Sequence, residues 1–266
     1  MRDLKKVSLW FLAFTTIVMI LFNGYEFIVK DKEPPVITCP DQEIKTSVSV
    51  TEEELLKGVT VKDNKSKNAS DSVVIEKMST LDENNSRIIT YAAIDNAGNV
   101  GRKDRTLVYT DYTAPVFEIS EPLRFPIGKI PENLMANVTA TSSIDGDISE
   151  KIKFQFLNNQ YMNEVGDMDV EIRVTDSAGV SSVLPVQIEL YDEKEENIIV
   201  ELQQYIVYLT VDSEFDPKSY FKESSIEGNL TVDSNVNTSV AGTYKADYIV
   251  NDNDNTGKTR LIVVVE

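Results

Sequence analysis

The sequence contains no histidine, and only one cysteine and one tryptophan, among its 266 residues. Histidine is the side chain that proteins use most often as a general base and as a metal ligand. Its absence excludes Ser-His-Asp and Cys-His catalytic sites and histidine-bound zinc. The single cysteine, Cys39, excludes an intramolecular disulfide, so the chain is not a disulfide-stapled scaffold. Carboxylate-pair chemistry and oxygen-bound metal ions stay open.

Basic residues are also in the minority. The chain has 26 Lys and Arg against 44 Asp and Glu, which gives a net charge of -18. Binding to nucleic acid needs a basic surface that neutralises phosphates, so this balance excludes nucleic acid as a partner. The charge instead fits a soluble surface that repels copies of itself.

One long run without charge, Val7–Phe22, lies near the N-terminus directly after Arg2, Lys5 and Lys6. At about 1.5 Å per residue, a helix over this run is somewhat short for a hydrocarbon core of about 30 Å. The mostly apolar residues up to Val29 could extend the run to the outer interface.

Two interpretations compete for this run. A cleaved signal peptide needs small residues before the cut, but Phe22 is bulky. We therefore expect an uncleaved signal-anchor over residues 7–29. Residues 1–6 would be the cytoplasmic end and the rest would lie outside, in a single-pass protein of the cell membrane. A buried core helix is a poorer alternative, because the run is apolar all round and follows basic residues.

The remainder of the chain repeats one pattern three times, at Asn85–Gly98, Gly166–Gly179 and Gly242–Gly257. Each copy begins with a turn residue, alternates apolar and polar residues, and reaches an aspartate ten positions later. Period-two alternation indicates a strand with one buried face. The inward positions are Ile89, Tyr91 and Ala93, then Met168, Val170, Ile172 and Val174, then Tyr244, Ala246, Tyr248 and Val250; Lys245, Asp247 and Ile249 are among the outward ones.

Three copies in register predict three versions of one module, over residues 33–110, 111–192 and 193–266, called modules one, two and three below. Their starts lie about 80 residues apart, enough for about seven short strands in a small β-sandwich. Only Thr51–Leu56 and Ile130–Met135 are predicted to form short helical turns. The predicted fold is therefore all-β, behind one N-terminal helix.

Four motifs give the modules a family resemblance: Pro34–Ile37, Ile144–Ile148, Thr175–Gly179 and Ala241–Tyr244. They resemble bacterial immunoglobulin-like repeats, which occur in tandem on surface proteins of Gram-positive bacteria and, in similar form, on some pesticidal crystal proteins. The resemblance covers about residues 33–266 and is weaker in module one. It implies three tandem Ig-like β-sandwiches that serve as spacer, adhesion or carbohydrate-proximal modules without catalysis.

Three aspartates are candidate calcium ligands, because Ca²⁺ takes carboxylate and carbonyl oxygens in flexible geometry. Asp145 and Asp147 flank a glycine, which also fits a tight turn with exposed acids. Asp111 and the acidic run Asp192–Glu196 lie at module junctions, where solvated linker charge is the alternative. No other cofactor is predicted.

The aspartates that end the repeated strand, Asp95, Asp176 and Asp252, have a simpler interpretation. An aspartate at the end of a strand can accept hydrogen bonds from the following backbone and close the turn. A glycosidase would need two acids gathered at a fixed distance in a pocket, and nothing in the sequence gathers them. No catalytic residues are predicted.

The expected function is that of a non-catalytic, membrane-anchored extracellular repeat protein that acts as an adhesion or spacer module. Its contact surfaces would be the loops Lys222–Asn229 and Asn251–Lys258, because sandwiches bind through end loops. Two alternatives stay open: a module that binds carbohydrate or cell wall, and an accessory subunit of a membrane complex. Trp10 lies in the apolar run, which leaves Tyr205, Tyr208, Tyr220 and Phe221 as the aromatic residues for sugar stacking.

Overall fold

The computed structural model describes residues 2–29, 31–65, 69–129, 136–157 and 164–266. The chain forms two compact units, Met1–Thr110 and Asp111–Glu266. The short helical turn predicted for Ile130–Met135 lies outside the described residues.

The N-terminal segment forms helix α1, Arg2–Val29, as predicted. Its apolar side chains between Val7 and Phe22 are exposed, and the Trp10 side chain is 77% exposed. Among the described residues, however, no helix combines the length and the apolar character that crossing a membrane requires. The transmembrane part of the prediction is therefore not supported.

The rest of the first unit is a pair of sheets with one short helix, α2 (Glu52–Leu56). Thr51 caps this helix, and its hydroxyl and the Glu54 carboxylate exchange hydrogen bonds with the backbone, which confirms the predicted turn. The strands are β1 (Val36–Thr38), β2 (Glu43–Thr46), β3 (Thr60–Lys62), β4 (Val74–Met78), β5 (Ser86–Ile94) and β6 (Val100–Tyr109). Strands β1 and β3 form one sheet, and the other has the order β2-β6-β5-β4.

The second unit contains two such pairs of sheets. In module two the strands are β7 (Val116–Ile119), β8 (Arg124–Pro126), β9 (Val138–Ser142), β10 (Gly146–Asp147), β11 (Lys153–Phe156), β12 (Gly166–Thr175) and β13 (Ser181–Tyr191). In module three they are β14 (Val200–Leu202), β15 (Ile206–Leu209), β16 (Phe221–Ser224), β17 (Asn229–Ser234), β18 (Gly242–Asp252) and β19 (Asn255–Val265). The sheet orders are β10-β9-β7 and β11-β12-β13-β8, then β14-β16 and β15-β19-β18-β17.

The three pairs of sheets share one topology. In each, the second strand runs parallel to the last strand, and the two longest strands form an antiparallel hairpin. Within the described residues, every sheet takes its strands from one predicted module. The all-β prediction is confirmed, whereas the module boundaries stay predictions.

The inward positions predicted from the alternation of the repeated strand are confirmed. Ten of its eleven predicted inward side chains are buried, and Tyr244 is half-buried. The buried tyrosine hydroxyls find backbone acceptors: Tyr91 donates to the Leu55 carbonyl at 2.8 Å and Tyr248 to the Pro217 carbonyl at 2.6 Å. On the outward phase, Thr90 and Ala92 of module one are also buried, and Asp247, which was predicted to face outward, is 7% exposed. In module three this outward face is covered by module two.

In modules one and three, the backbone of the entering segment packs closely against a glycine in the last strand. A Cβ atom at Gly101 would lie 1.8 Å from the Pro35 carbonyl oxygen, and one at Gly257 would lie 2.0 Å from that of Ile198. In module two the matching residue is Ser182, whose hydroxyl donates to the Pro115 carbonyl at 2.5 Å. The segment that enters each module is therefore held at a defined place.

Candidate functional site

Modules two and three share a hydrophobic core inside the second unit. Ile206 and Ile262 of module three are buried in the same cluster as Phe117 and Ile188 of module two. The Tyr208 hydroxyl reaches the backbone of Phe117, where it accepts from the amide at 2.9 Å and lies 3.2 Å from the carbonyl oxygen. The two predicted modules are thus joined by packing as well as by a linker.

Charged residues border this shared core, and Arg260 lies at their centre. The pairing of β18 with β19 places Asp247 opposite Arg260. The guanidinium contacts the Asp247 carboxylate at 2.6 Å and, across the junction, the Asp167 carboxylate of β12 at 2.9 Å. The Arg260 side chain is 4% exposed and that of Asp247 is 10% exposed, so the contact between them is shielded from water.

Two lysines of module three extend the contacts. Lys258 Nζ lies 2.9 Å from Glu189 of β13 and 3.3 Å from Asp247. Lys245 Nζ lies 2.9 Å from Asp167 and donates to the Gln187 side-chain carbonyl at 2.8 Å. Both ammonium groups therefore bridge the two modules.

Arg124 completes the set from the side of module two. Its guanidinium contacts Glu189 at 2.9 Å and Glu196 at 2.6 Å, and it also donates to the backbone carbonyl of Lys258. It lies 4.7 Å from the centre of the Tyr191 ring. Glu196 belongs to the acidic linker, for which junction calcium and solvated charge are the two interpretations given above, and it pairs with a buried arginine.

We call these eight residues the ionic seam. Four cations face four carboxylates, so the seam is neutral as a whole. Such a network constrains geometry, because a partner removed from it leaves a buried charge uncompensated. The cations are Arg124, Lys245, Lys258 and Arg260, and the anions are Asp167, Glu189, Glu196 and Asp247.

Three carboxylates of the seam, those of Asp167, Glu189 and Asp247, stay ionised at neutral pH. Burial opposes their ionisation, but the hydrogen bonds and charges of the neighbouring cations outweigh it. The pKa values of Asp167, Glu189 and Asp247 are therefore held below their ordinary range. A general acid needs a pKa raised toward neutrality, so these groups are suited to holding modules together rather than to proton transfer.

We expect acid to weaken the seam. A carboxyl whose folded pKa is depressed contributes stability above its unfolded pKa, near 4, and loses it as pH falls through the folded value. The melting temperature of the second unit should therefore fall as the pH is lowered below about 4. Thermal unfolding followed by circular dichroism checks this, and Arg260→Ala should show a smaller fall because it no longer depresses the Asp247 pKa. An equal fall in that variant would contradict the assignment.

A cleft of about 430 Å³ opens beside the seam. Its lining combines Asp169, Gln187 and Tyr244 with two members of the seam, Lys245 and Arg260. Both cations are already paired with carboxylates, so the cleft offers no uncompensated positive charge to an anionic ligand.

The predicted calcium ligands lie apart from this seam. Asp145 accepts from the Ser177 amide at 2.7 Å and pairs with Lys151 at 3.0 Å, while Asp147 accepts from the Ser149 amide and hydroxyl. Asp111 is exposed at the start of the second unit. In the described part of the chain, Asp111, Asp145 and Asp147 belong to no group of three acids close enough to share an ion. Calcium at these residues stays a prediction.

The strand-end aspartates of modules one and two accept hydrogen bonds from the backbone that follows them. Asp95 accepts from the amides of Ala97 and Asn99 at 2.9 and 2.7 Å, which confirms the predicted turn. Burial opposes its ionisation, but these bonds and the Asn99 side chain outweigh it and lower the pKa. Asp176 accepts from the Val180 amide at 3.0 Å.

Module three has a different hairpin. Asp252 pairs with Asn255 across a two-residue turn whose first residue, Asn253, has a φ of 49°. The Asp252 carboxylate accepts from the Asn253 side chain at 3.1 Å. The substitution of Asn255 for the glycine of the other modules therefore changes the turn.

The predicted contact loop Asn251–Lys258 lies next to the linker that enters module three, and its role as a contact surface stays a prediction. The Asn197 side chain in the linker donates to Asn255 at 2.6 Å and accepts from the Thr256 amide at 3.0 Å. Because Lys258 also accepts from Arg124, this loop lies at the junction with module two. Lys222–Asn229 adjoins it, since Asn229 pairs with Asn251.

The aromatic residues considered for sugar stacking are half-buried. Tyr205, Tyr220 and Phe221 pack against the core of module three, and Tyr208 packs against the shared core. They therefore form no exposed platform. Cys39 is also partly buried, and burial raises the pKa of its thiol, so the thiol is protonated at neutral pH.

Comparisons with known proteins leave the family open. No family model matches the sequence. An 81.3 kDa protein of Acholeplasma phage L2 is 33% identical over 94 residues, which are 34% of this chain and 13% of that protein. The chain therefore spans a small part of that relative's length.

Solved structures resemble the chain only distantly. The EC21-23 segment of human CDH23 is 13% identical with a TM-score of 0.23. The alignment covers 87% of this chain and 100% of the CDH23 segment. The EC22-24 segment of mouse cadherin-23 has 11% identity and a TM-score of 0.23, and covers 88% and 99%. The M60 catalytic domain of Clostridium perfringens ZmpB, with its two CBM51 domains, has 11% identity and a TM-score of 0.21, and covers 87% and 30%. These TM-scores are too low to carry an argument about function.

Proposed function

We propose that the protein is a non-catalytic Ig-like repeat protein that acts outside the cell as an adhesion or spacer module. The observation that supports this most is the ionic seam. In this seam, cations of module three pair with carboxylates of module two, and these pairs hold the two β-modules together. The absence of histidine and the lowered pKa values of Asp167, Glu189 and Asp247 agree with a mechanical role.

The proposed contact surface lies on two loops of module three. There the loop after β15 meets the loop between β17 and β18, since the Asp212 amide donates to the Thr238 carbonyl at 2.8 Å. Two apolar side chains are exposed on these loops, Val211 at 41% and Val240 at 54%. Exposed apolar residues on loops that a rigid scaffold holds suit contact with a protein partner.

Adhesion can be tested with the full chain expressed on a bacterial host. We expect cells that carry it to aggregate, or to be retained on protein-coated surfaces, more than cells without it. Val211→Glu with Val240→Glu should abolish the gain. Ile199→Glu is the matched control, because Ile199 is 67% exposed but lies beside the junction. Equal loss in both variants, or no gain at all, would argue against adhesion.

The proposed anchor is helix α1. Its support is an uncharged stretch of exposed apolar side chains after three basic residues, which favours retention of the N-terminal end in the cytoplasm. Fractionation of the same cells tests this proposal. Retention of the intact chain in the membrane pellet after a carbonate wash would support the anchor, and release of the intact chain would refute it.

A further inference from the structure

Three carboxylates converge where the chain enters module one. Asp31, Asp63 and Asp95 each contribute one oxygen to a group in which all three atoms lie within 4.8 Å of one another. Asp31 and Asp95 are buried, at 8% and 6% exposure, and Asp63 is half-buried. Like charges this close are unfavourable unless a cation compensates them.

The fold holds the three groups together from separate parts of the chain. Pairing of Val36 with Lys62 brings the segment before β1 alongside Asp63, which directly follows β3. The Asn99 side chain donates to the Asp95 carboxylate at 2.7 Å and to the Asp31 carbonyl at 3.2 Å. The group is therefore built by tertiary structure and is not a run of acids on one loop.

One atom of this group lacks the partner that burial demands. Asp31 Oδ1 accepts from the Glu33 amide at 3.2 Å and from the Asn64 side chain at 3.3 Å. Asp31 Oδ2 is buried and has no hydrogen-bond partner in the described part of the chain. Neither Asp31 nor Asp95 forms a salt bridge there. Burial of a carboxylate oxygen without a hydrogen-bond donor lowers the stability of the fold, and a bound cation would offset this cost.

Module two provides an internal comparison at the same positions. Asp176 ends the equivalent strand, and Ser142 follows Thr141, which pairs with Val116 as Lys62 pairs with Val36. Here the Tyr112 hydroxyl donates to Asp176 at 2.6 Å, and Ser142 lies at 3.5 Å. Neutral hydroxyl groups thus satisfy the strand-end aspartate of module two, whereas module one places two further carboxylates beside it.

We propose that Asp31, Asp63 and Asp95 bind a calcium-type divalent cation. Ca²⁺ takes oxygen ligands at about 2.3–2.6 Å, so ligands on opposite sides of the ion lie about 5 Å apart, which matches the observed spread. The three ligands are all carboxylates, which zinc and copper sites rarely use alone. A bound ion fastens the segment between α1 and β1 to the body of module one.

The site can be tested by calorimetric titration of the full chain in detergent with calcium chloride, and separately with magnesium chloride. We expect saturable binding of one Ca²⁺ at Asp31, Asp63 and Asp95, tighter than Mg²⁺, and a rise in the melting temperature of the first unit. Asp63→Asn keeps the shape but removes one charge, and should weaken binding about tenfold or more. Asp63→Ser, which copies Ser142, should do the same.

The matched control is Asp176→Asn, which alters the equivalent strand end in module two and should leave Ca²⁺ affinity unchanged. Circular dichroism of each variant establishes that it folds. Absence of saturable binding by wild type at millimolar Ca²⁺ would overturn the proposal. Retention of full affinity in both Asp31→Asn and Asp63→Asn would also overturn it, whatever the outcome of the adhesion assays.

Discussion

Replacement of Arg260 by alanine is expected to lower the free energy of unfolding of the second unit by about 3–5 kcal/mol. The guanidinium is 4% exposed and contacts Asp247 and Asp167 at 2.6 and 2.9 Å. Its removal leaves the buried Asp247 without its arginine, and the remaining contact with Lys258 is longer, at 3.3 Å. The loss of stability therefore comes mainly from the buried, uncompensated charge of the Asp247 carboxylate, and less from the lost attraction between the two side chains.

Urea unfolding of the full chain in detergent measures this change. The matched control is Arg173→Ala, because Arg173 pairs with Glu171 on an exposed face, with side-chain exposures of 50% and 31%. Exposed pairs contribute about 1 kcal/mol or less, so the control should scarcely change stability. Equal costs for the two variants would mean that the seam is solvated and does not hold the modules together.

The strands of this protein could be predicted from sequence because the signal is local. Alternation of Met168, Val170, Ile172 and Val174 records one buried face, and all four side chains are buried in the structure. The same holds for the helical turn after Thr51, whose capping residues lie three positions apart. Such patterns need no knowledge of distant parts of the chain.

The seam could not be predicted in this way. Alternation placed Asp247 on the outward face of its strand, and it does point away from the core of module three. That face is covered by a second module, 80 positions away at Asp167, and a periodic pattern carries no information about such a neighbour. The pairing of Glu196 with Arg124 could not be predicted either, because the two residues are 72 positions apart in the sequence.

The acidic group in module one lies between these cases. Asp95 stood out as a repeated strand-end residue, but Asp31 and Asp63 were not singled out. A comparison of the modules offered a signal: Asp63 stands where module two has Ser142, and Asp31 lies five residues before Val36, as Asp111 does before Val116. The sequence does not show that these positions lie close together, because their proximity depends on the pairing of β1 with β3.

Truncation of the two buried tyrosines should show whether the two units of this protein unfold independently. Tyr91 and Tyr248 are fully buried, and replacement of either by alanine should lower the free energy of unfolding by about 3–5 kcal/mol. Tyr248→Phe, which loses only the hydrogen bond to the Pro217 carbonyl, should cost about 1 kcal/mol.

The two alanine variants should differ in which thermal transition they affect. Tyr91→Ala should lower only the transition of the first unit. Tyr248→Ala should lower the transition of modules two and three together, because the shared core and the seam couple them. Calorimetry of the full chain in detergent resolves these transitions. If Tyr248→Ala shifted a transition of module three alone and left module two unchanged, the contacts between them would be too weak to hold one unit, and the mechanical role proposed for the seam would fail with them.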